Sequence, residues 1–235
     1  MKNHNLNQNK YLINHYTKPL GVTNKKVLQA MLKTPRHEFV PKTHEAQAYY
    51  DIALPIGHGQ TISQPSLVGI MTQALKLKGR ETVLEIGTGS AYQAAILSRL
   101  AKQVYTVEII EDLYKKAKKV LKKLNIKNVT CVLGNGSVGL KKYAPYDAII
   151  VTAAAKHVPQ ELLNELKVGG RMVIPVVEHA PDLQELKVIT KHKNIIGTKK
   201  ITPVIFVPLV GKYTKGPKPQ KNLLNFKKML QRKHE

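Results

Sequence analysis

The sequence has no tryptophan, only one cysteine (Cys131) and few aromatic residues, which make up 6% of the chain. A single cysteine excludes an intrachain disulfide and the Cys-x-x-Cys pairs of structural zinc sites and redox motifs. Residues 1–10 lack the apolar core of a secretory signal, and the longest apolar runs, around 148–155 and 204–210, are too short to span a bilayer. We therefore expect a soluble, cytoplasmic protein that binds no metal.

Acidic residues are also scarce, since 15 Asp and Glu oppose 38 Lys and Arg and leave a formal net charge of +23. The excess comes mainly from lysine, which argues against dedicated bidentate recognition of phosphate. One concentration lies in 111–123, where an apolar stripe at helical spacing predicts a helix with a solvated lysine face. The other is the tail after Val210. Nonspecific contact with polyanions or acidic peptides is one interpretation, and a general basic bias without a dedicated partner is the other.

The 235 residues fit one α/β domain with extensions at both ends. Asn24 can cap a helix that Pro35 ends, residues 34–66 are loop-like, and another helix begins at Pro65. Helical patterns then alternate with β-rich runs at 83–86, 104–108, 129–133, 147–152 and 171–176. This alternation predicts a doubly wound, mostly parallel sheet, with antiparallel strands at 184–190 and 201–207. We assign 1–65 to a helical extension with a functional loop, 66–210 to the α/β domain and 211–235 to a basic tail with a short helix at 222–231.

A candidate cofactor site lies where the first strand runs into a glycine turn, at Gly87 and Gly89, and then into a helix. Glu85 would repel a pyrophosphate, whereas it would favour the ammonium and sulfonium of S-adenosylmethionine. Glu108 ends the second strand and can accept hydrogen bonds from both ribose hydroxyls. Asn135 follows the third strand, where an amide can bond adenine. Each signal alone is weak, but their order predicts a nucleoside cofactor.

A longer stretch, residues 50–65 (YDIALPIGHGQTISQP), resembles the signature loop of the protein-L-isoaspartate O-methyltransferase family. Further matches lie at 35–41, 92–95, 147–154, 166–171 and 206–210. The resemblance implies a Rossmann-like, S-adenosylmethionine-dependent methyltransferase fold. It also implies an enzyme that methylates the free carboxylate of L-isoaspartyl, and of D-aspartyl, residues in damaged proteins and peptides. We expect the protein to be a monomer.

The resemblance implies roles for individual residues as well. Ser63 takes the position of the active-site serine. The implied cofactor contacts are Thr61, Ile62, Ser63, Glu85, Gly87, Gly89, Ser90, Glu108, Asn135 and Gly136. The implied substrate contacts are Ile56, Gly59, Gln60, Val207 and Pro208. Two positions depart from the family pattern, because Ala91 replaces a customary glycine and Asn135 a customary aspartate. We expect these changes to weaken cofactor binding at most.

A carboxylate substrate is already ionised at neutral pH, so the reaction needs no general base. Ser63 could orient the substrate carboxylate, but it could also simply cap the helix that begins at Pro65. Gln60 could likewise contact the substrate or stabilise its turn, while His37 and His58 are interpreted as structural loop residues. Two other functions stay open. One is a nucleic-acid methyltransferase, which the positive charge would suit. Residues 151–154 lack the Asn/Asp-Pro-Pro-aromatic motif of such enzymes, however, and Cys131 lies inside a predicted strand, where it is poorly placed as a nucleophile. The other is a noncatalytic relative that binds an acidic partner.

Overall fold

The computed structural model describes residues 2–178 and 183–211. The helix predicted at 222–231 and the lysines of the tail lie outside these residues. In the described part of the chain, no helix is long and apolar enough to cross a membrane.

A seven-stranded sheet forms the centre of the molecule, in the order β5-β4-β3-β6-β7-β8-β9. Its strands are β3 (Thr82–Ile86), β4 (Gln103–Glu108), β5 (Val129–Leu133), β6 (Tyr146–Val151), β7 (Leu166–Val177), β8 (Gln184–Lys191) and β9 (Ile196–Val204). The strands from β5 to β7 are parallel, and β8 and β9 pair antiparallel. The predicted doubly wound α/β fold with antiparallel C-terminal strands is confirmed.

The central strands read as continuous apolar runs because they are covered on both faces. Residues 148–151 of β6, for example, are at most 1% exposed. The covering helices are α3 (Pro65–Ala74), α4 (Tyr92–Leu97), α5 (Glu111–Lys123) and α6 (Gln160–Glu165). The stripe predicted for α5 is correct, since Leu113, Ala117 and Leu121 are buried while its lysines are mostly exposed.

The N-terminal extension is helical, as expected, and includes α1 (Lys2–Leu12), a π-helical turn (Ile13–Thr17) and α2 (Lys25–Leu32). Asn24 caps α2, because its Oδ1 accepts hydrogen bonds from the N–H groups of Lys26 and Val27. Two 3₁₀ turns follow, Arg36–Phe39 and Lys42–Gln47. The segment interpreted as a loop then contains a small antiparallel hairpin of β1 (Leu54–Gly57) and β2 (Gln60–Ile62), which the sequence pattern did not reveal.

The last strand differs from the prediction, since β9 covers 196–204 rather than 201–207. It is an exposed edge strand carrying lysines, so it lacks the apolar alternation that marks a strand in the sequence. The apolar residues 205–210 that follow β9 are not part of that strand, and they run back to the end of β6. The N–H of Ala154 donates to the Val207 carbonyl, and the N–H of Leu209 donates to the Ala154 carbonyl, both at 2.8 Å. This return places 207–210 beside the carboxyl ends of the parallel strands.

Candidate active site

The chain reverses its direction of travel through the sheet at β3, because β4 and β5 lie on one side of that strand and β6 on the other. A ligand crevice is expected outside the carboxyl ends of the strands at such a point. A crevice opens there, lined from both the sheet and the segment before α3. The predicted site residues that line it are Gln60, Thr61, Ile62, Ser63, Glu85, Gly87, Gly89, Ser90, Glu108, Gly136, Val207 and Pro208.

The turn after β3 needs glycine at position 87. Gly87 has a φ of +93°, and a methyl group there would lie 2.5 Å from Thr152 Oγ1. That hydroxyl donates to the Gly87 carbonyl at 2.6 Å. Gly89 also has a positive φ, +51°, but a methyl group on it would reach Ile56 Cδ1 only at 3.4 Å. The close approach of β6 to the turn therefore fixes Gly87, and Thr152 is a site residue that sequence analysis did not identify.

Ala91, one of the two departures from the family pattern, lies at a position where the backbone favours glycine. It is fully buried at the N-cap of α4 with a φ of +70°, a backbone conformation that favours glycine. The left-handed backbone conformation is thus a reason for the customary glycine at this position. The alanine methyl packs in the apolar cluster between α2, α4 and α5 and so gains burial against the strain.

Glu108 is held in place by main-chain groups. Its Oε2 accepts a hydrogen bond from the N–H of Gly89 at 2.8 Å, and its Oε1 accepts from the N–H groups of Ile109 and Ile110, both at 2.9 Å. A carboxylate offers about four acceptor sites, so capacity remains on Oε2 for a ligand hydroxyl. The side chain is 5% exposed and lines the crevice. It links the glycine turn to the start of α5 and presents an oriented acceptor.

Glu85 is the most unusual group in the crevice. It is fully buried, and neither carboxylate oxygen has a hydrogen-bond partner within residues 2–178 and 183–211. Burial raises the pKa of Glu85 to about 8; the neighbouring Thr106 side chain opposes the rise, and the nearby Glu108 charge adds to it. A buried acid without a partner is costly unless a ligand compensates it. Its surroundings fit the cationic end of S-adenosylmethionine, which carries an ammonium and a sulfonium.

Ser63 lies on the opposite wall, on the segment that joins β2 to α3. Its side chain is half-buried and lines the crevice, and its hydroxyl has no partner among the residues that the structure describes. The N-cap of α3 is Gln64, and Asp51 supplies the capping oxygens. Asp51 accepts from the Ser66 N–H at 2.8 Å and from the Ser66 hydroxyl at 2.7 Å. The alternative in which Ser63 caps α3 is therefore wrong, and its hydroxyl is available to a ligand.

Arg36 packs against Tyr92, a residue that lines the crevice. It is fully buried, its guanidinium lies 4.9 Å from the ring centroid of Tyr92, and it donates to the Ile52 carbonyl at 3.2 Å. Burial lowers the pKa of Arg36 to about 10, so the side chain stays charged at neutral pH. Tyr92 lines the crevice. Residues 35–41 match the family pattern, but the sequence did not predict that the Arg36 side chain would pack beside Tyr92.

Three predicted contacts do not line the cavity, namely Asn135, Ile56 and Gly59. The Asn135 side chain caps the turn Gly136–Val138, since its Oδ1 accepts from the N–H and the hydroxyl of Ser137. Ile56 is buried against the glycine turn, and Gly59 is exposed near the hairpin tip. The Asn135 amide oxygen is therefore engaged within its own turn, and the hairpin holds Ile56 and Gly59 outside the cavity.

The two loop histidines have structural neighbours, as interpreted. His58 Nε2 lies 3.2 Å from Asp112 Oδ2, and His37 Nδ1 lies 2.6 Å from the Tyr49 hydroxyl. Across the described ranges, no cluster of three or more His, Cys, Asp or Glu side chains could hold a metal ion.

Comparison with known proteins gives one family. The family model described as protein-L-isoaspartate(D-aspartate) O-methyltransferase matches residues 7–214. A protein-L-isoaspartate O-methyltransferase 1 of Cupriavidus necator is 52% identical over 188 residues, which cover 80% of this chain and 73% of the relative. A protein-L-isoaspartate O-methyltransferase of Dictyoglomus thermophilum is 51% identical over 193 residues, covering 82% of this chain and 87% of the relative.

A solved structure has the same fold. It is a Plasmodium falciparum protein, described as a protein-L-isoaspartate O-methyltransferase in complex with S-adenosyl-L-homocysteine, and it superimposes with a TM-score of 0.76 at 27% identity. The match covers 86% of this chain and 98% of that protein.

Proposed function

The chain belongs to the protein-L-isoaspartate(D-aspartate) O-methyltransferase family, and from this premise we propose that it methylates damaged aspartyl residues. The methyl group moves from S-adenosylmethionine to the free carboxylate of L-isoaspartyl, and of D-aspartyl, residues in proteins and peptides. One observation carries the assignment. The buried, unpaired carboxylate of Glu85 lies at the carboxyl end of β3, in a crevice whose other wall carries the unpaired hydroxyl of Ser63.

Few catalytic groups are needed for this reaction. The substrate carboxylate is ionised at neutral pH, so no side chain has to remove a proton. Bound S-adenosylmethionine supplies a methyl group on a sulfonium; the new O–CH₃ bond forms as the S–CH₃ bond breaks, leaving a neutral ester and a neutral thioether. Ser63 donates a hydrogen bond to the substrate carboxylate and orients one oxygen toward the methyl group. Because charge is neutralised along the path, the hairpin that precedes Ser63 assists by excluding water.

The remaining cofactor contacts follow from the crevice. Glu108 accepts hydrogen bonds from the ribose hydroxyls, and Glu85 compensates the cationic end. Thr61 and Ile62 lie beside Ser63 at the methionine end, and Gly87, Gly89, Ser90 and Gly136 let the cofactor approach main chain. The extended segment at Val207 and Pro208, together with Gln60, contacts the substrate peptide. We also propose a cytoplasmic monomer whose partners are isoaspartyl proteins and peptides.

A nucleic-acid methyltransferase is the weaker candidate. Cys131 does not line the crevice, and burial raises the pKa of its thiol to about 11, which disfavours a nucleophilic thiolate. Residues 151–154 still lack an Asn/Asp-Pro-Pro-aromatic motif for amino-group methylation.

The test uses labelled S-adenosylmethionine and two peptides that differ only in aspartate versus isoaspartate. We expect base-labile label on the isoaspartyl peptide alone. Ser63→Ala removes a hydrogen bond to a charged group, so kcat/KM should fall about 10- to 100-fold. The affinity for S-adenosylhomocysteine, measured by calorimetry, should change much less.

Ser98→Ala is the matched control, because the Ser98 hydroxyl donates only to the Ala95 carbonyl and does not line the crevice. Its activity should stay within twofold of wild type. Equal labelling of both peptides would contradict the proposed substrate, and the absence of any cofactor binding would support a noncatalytic relative.

A further inference from the structure

We propose that one face of α5 binds acidic residues flanking the damaged site, so that the enzyme prefers isoaspartyl sites in acidic surroundings. This inference rests on the function proposed above and concerns the substrate class of the same site. The face is formed by Lys116, Lys119 and Lys123, which we call the lysine row. At 3.6 residues per turn the three lysines and Asp112 lie within about 60° of arc on the helix.

The lysine row lies beside the hairpin. Asp112, at the same side of the helix, contacts His58 at the hairpin tip at 3.2 Å. A methyl group on Gly57 would lie 3.9 Å from Lys116 Nζ. At the other end of the row, Lys123 pairs with Glu38 of the first 3₁₀ turn. The row therefore follows the boundary between α5 and the segment that carries the substrate loop.

Within the described residues, most of the row keeps its positive charge. The two acids of α5 are already engaged, because Glu111 pairs with Lys115 at 2.7 Å and Asp112 contacts His58. Lys116 and Lys119 are exposed and have no acidic partner in residues 2–178 and 183–211. Two solvated ammonium groups thus stand free for an incoming anionic side chain.

Both elements adjoin segments that line the crevice. Ile109 and Ile110 line it and lead directly into α5, while the hairpin continues into the lining segment at 60–63. From Ile110, the helix rises about 9 Å to Lys116 and about 14 Å to Lys119, at 1.5 Å per residue. An extended peptide spans these distances in about three to four residues. Side chains that far from the methylated residue can therefore reach the row.

A second basic groove does not fit this role. It is lined by Lys26, Lys33, Lys78, Arg99 and Lys127. The C-caps of α2, α4 and α5, at Lys33, Ser98 and Leu124, also line this groove. The C-terminal end of a helix carries a partial negative charge, which basic side chains stabilise, so the three helix ends account for these lysines. It shares no lining residue with the crevice.

The experiment measures kcat/KM for three isoaspartyl peptides whose flanks carry neutral residues, glutamates or lysines three and four positions away. We expect the wild type to favour the glutamate peptide over the neutral one by about three- to tenfold at low salt, through KM rather than kcat, with the preference fading at high salt because exposed pairs are screened. Lys116→Gln/Lys119→Gln should bring the ratio to within twofold while leaving the neutral peptide unchanged.

Lys193→Gln/Lys199→Gln is the matched control. It removes the same charge from exposed lysines around the turn into β9, at the opposite edge of the sheet, and should keep the preference. Equal loss in both double variants, or an unchanged ratio in the first, would overturn the proposal. So would binding of a single-stranded RNA that depends on the row while the peptide ratio does not. A wild type that ignores the neutral isoaspartyl peptide would instead contradict the proposed function, and this inference with it.

Discussion

The two walls of the crevice are built differently. On the sheet side, the turn after β3 is fixed by main-chain bonds: three N–H groups bond Glu108, and Thr152 bonds the Gly87 carbonyl. On the loop side, the β1–β2 hairpin has no further strand partner among residues 2–178 and 183–211. Polar contacts that hold this segment are the Asp51–Ser66 cap, the Arg36 bond to the Ile52 carbonyl and the His58–Asp112 contact.

This difference separates cofactor binding from substrate binding. A cofactor of constant shape suits a preformed wall. Substrates that vary around one damaged residue suit a segment that is anchored by the buried Leu54, Ile56 and Ile62 but has few polar bonds to the rest of the chain. Changes on the sheet side should therefore alter stability and cofactor affinity together. Changes on the loop side should alter turnover more than cofactor affinity.

The largest expected effect comes from Glu85 and depends on pH. Because the pKa of Glu85 is raised to about 8 in the folded chain, the folded state keeps a proton that the unfolded chain loses near 4.5. The folded state thus binds more protons between these values, and this group's contribution to the stability of the cofactor-free protein falls as pH rises through that window. The slope for one group reaches about 1.4 kcal/mol per pH unit and levels off above pH 8.

Glu85→Gln should lack this component, so its stability in denaturant unfolding should exceed that of the wild type increasingly from pH 5 to pH 8. Binding of a cation favours the ionised carboxylate, so wild-type affinity for S-adenosylmethionine should rise over the same window while that of the variant stays flat. Parallel pH profiles of the two proteins would show that Glu85 is not the titrating group.

Gly87→Ala should have the next largest effect. It forces a side chain into a left-handed backbone, at roughly 1–2 kcal/mol, and displaces the Thr152 hydroxyl from its bond to the Gly87 carbonyl. We expect a loss of about 3 kcal/mol in urea unfolding and much weaker binding of S-adenosylhomocysteine. Gly89→Ala should cost only about 1 kcal/mol, because its methyl group meets Ile56 at an ordinary distance. Equal losses would show that β6 does not constrain the turn.

The fold could be predicted well from the sequence where the pattern is local. Buried strands give apolar runs, and α5 shows its stripe, so both were located within a few residues. The position predicted for the exposed edge strand β9 was wrong, because the lysines and threonines on its surface give no alternation of apolar and polar residues. The hairpin at 54–62 was missed because its strands are short and interrupted by Pro55 and two glycines.

The sheet side of the site could likewise be predicted, because the glycine turn and the acids at the strand ends line the crevice where the strands themselves end. Thr152, Arg36 and Asp51 could not, because each acts on residues far away in the sequence. Thr152 reaches Gly87 across 65 positions, and Asp51 reaches Ser66 across 15. No local pattern records such partners, and for this reason capping of α3 by Ser63 stayed open as an alternative to its role toward the substrate.

Asp51→Ala should have a smaller effect than the changes at Glu85 and Gly87, and it tests the loop side directly. The variant removes both bonds to Ser66 and a negative charge near the buried guanidinium of Arg36, so we expect a loss of about 2 kcal/mol in stability. Because α3 begins two residues after Ser63, kcat should fall several-fold while the affinity for S-adenosylhomocysteine stays within about twofold. Ser66→Ala is the matched control, since it removes the hydroxyl's bonds to Asp51 and Gln64 but keeps the N–H cap, and it should lose about 1 kcal/mol. If Asp51→Ala instead weakened cofactor binding as strongly as Gly87→Ala, the two walls would be one rigid unit, and the separation of their roles would be wrong.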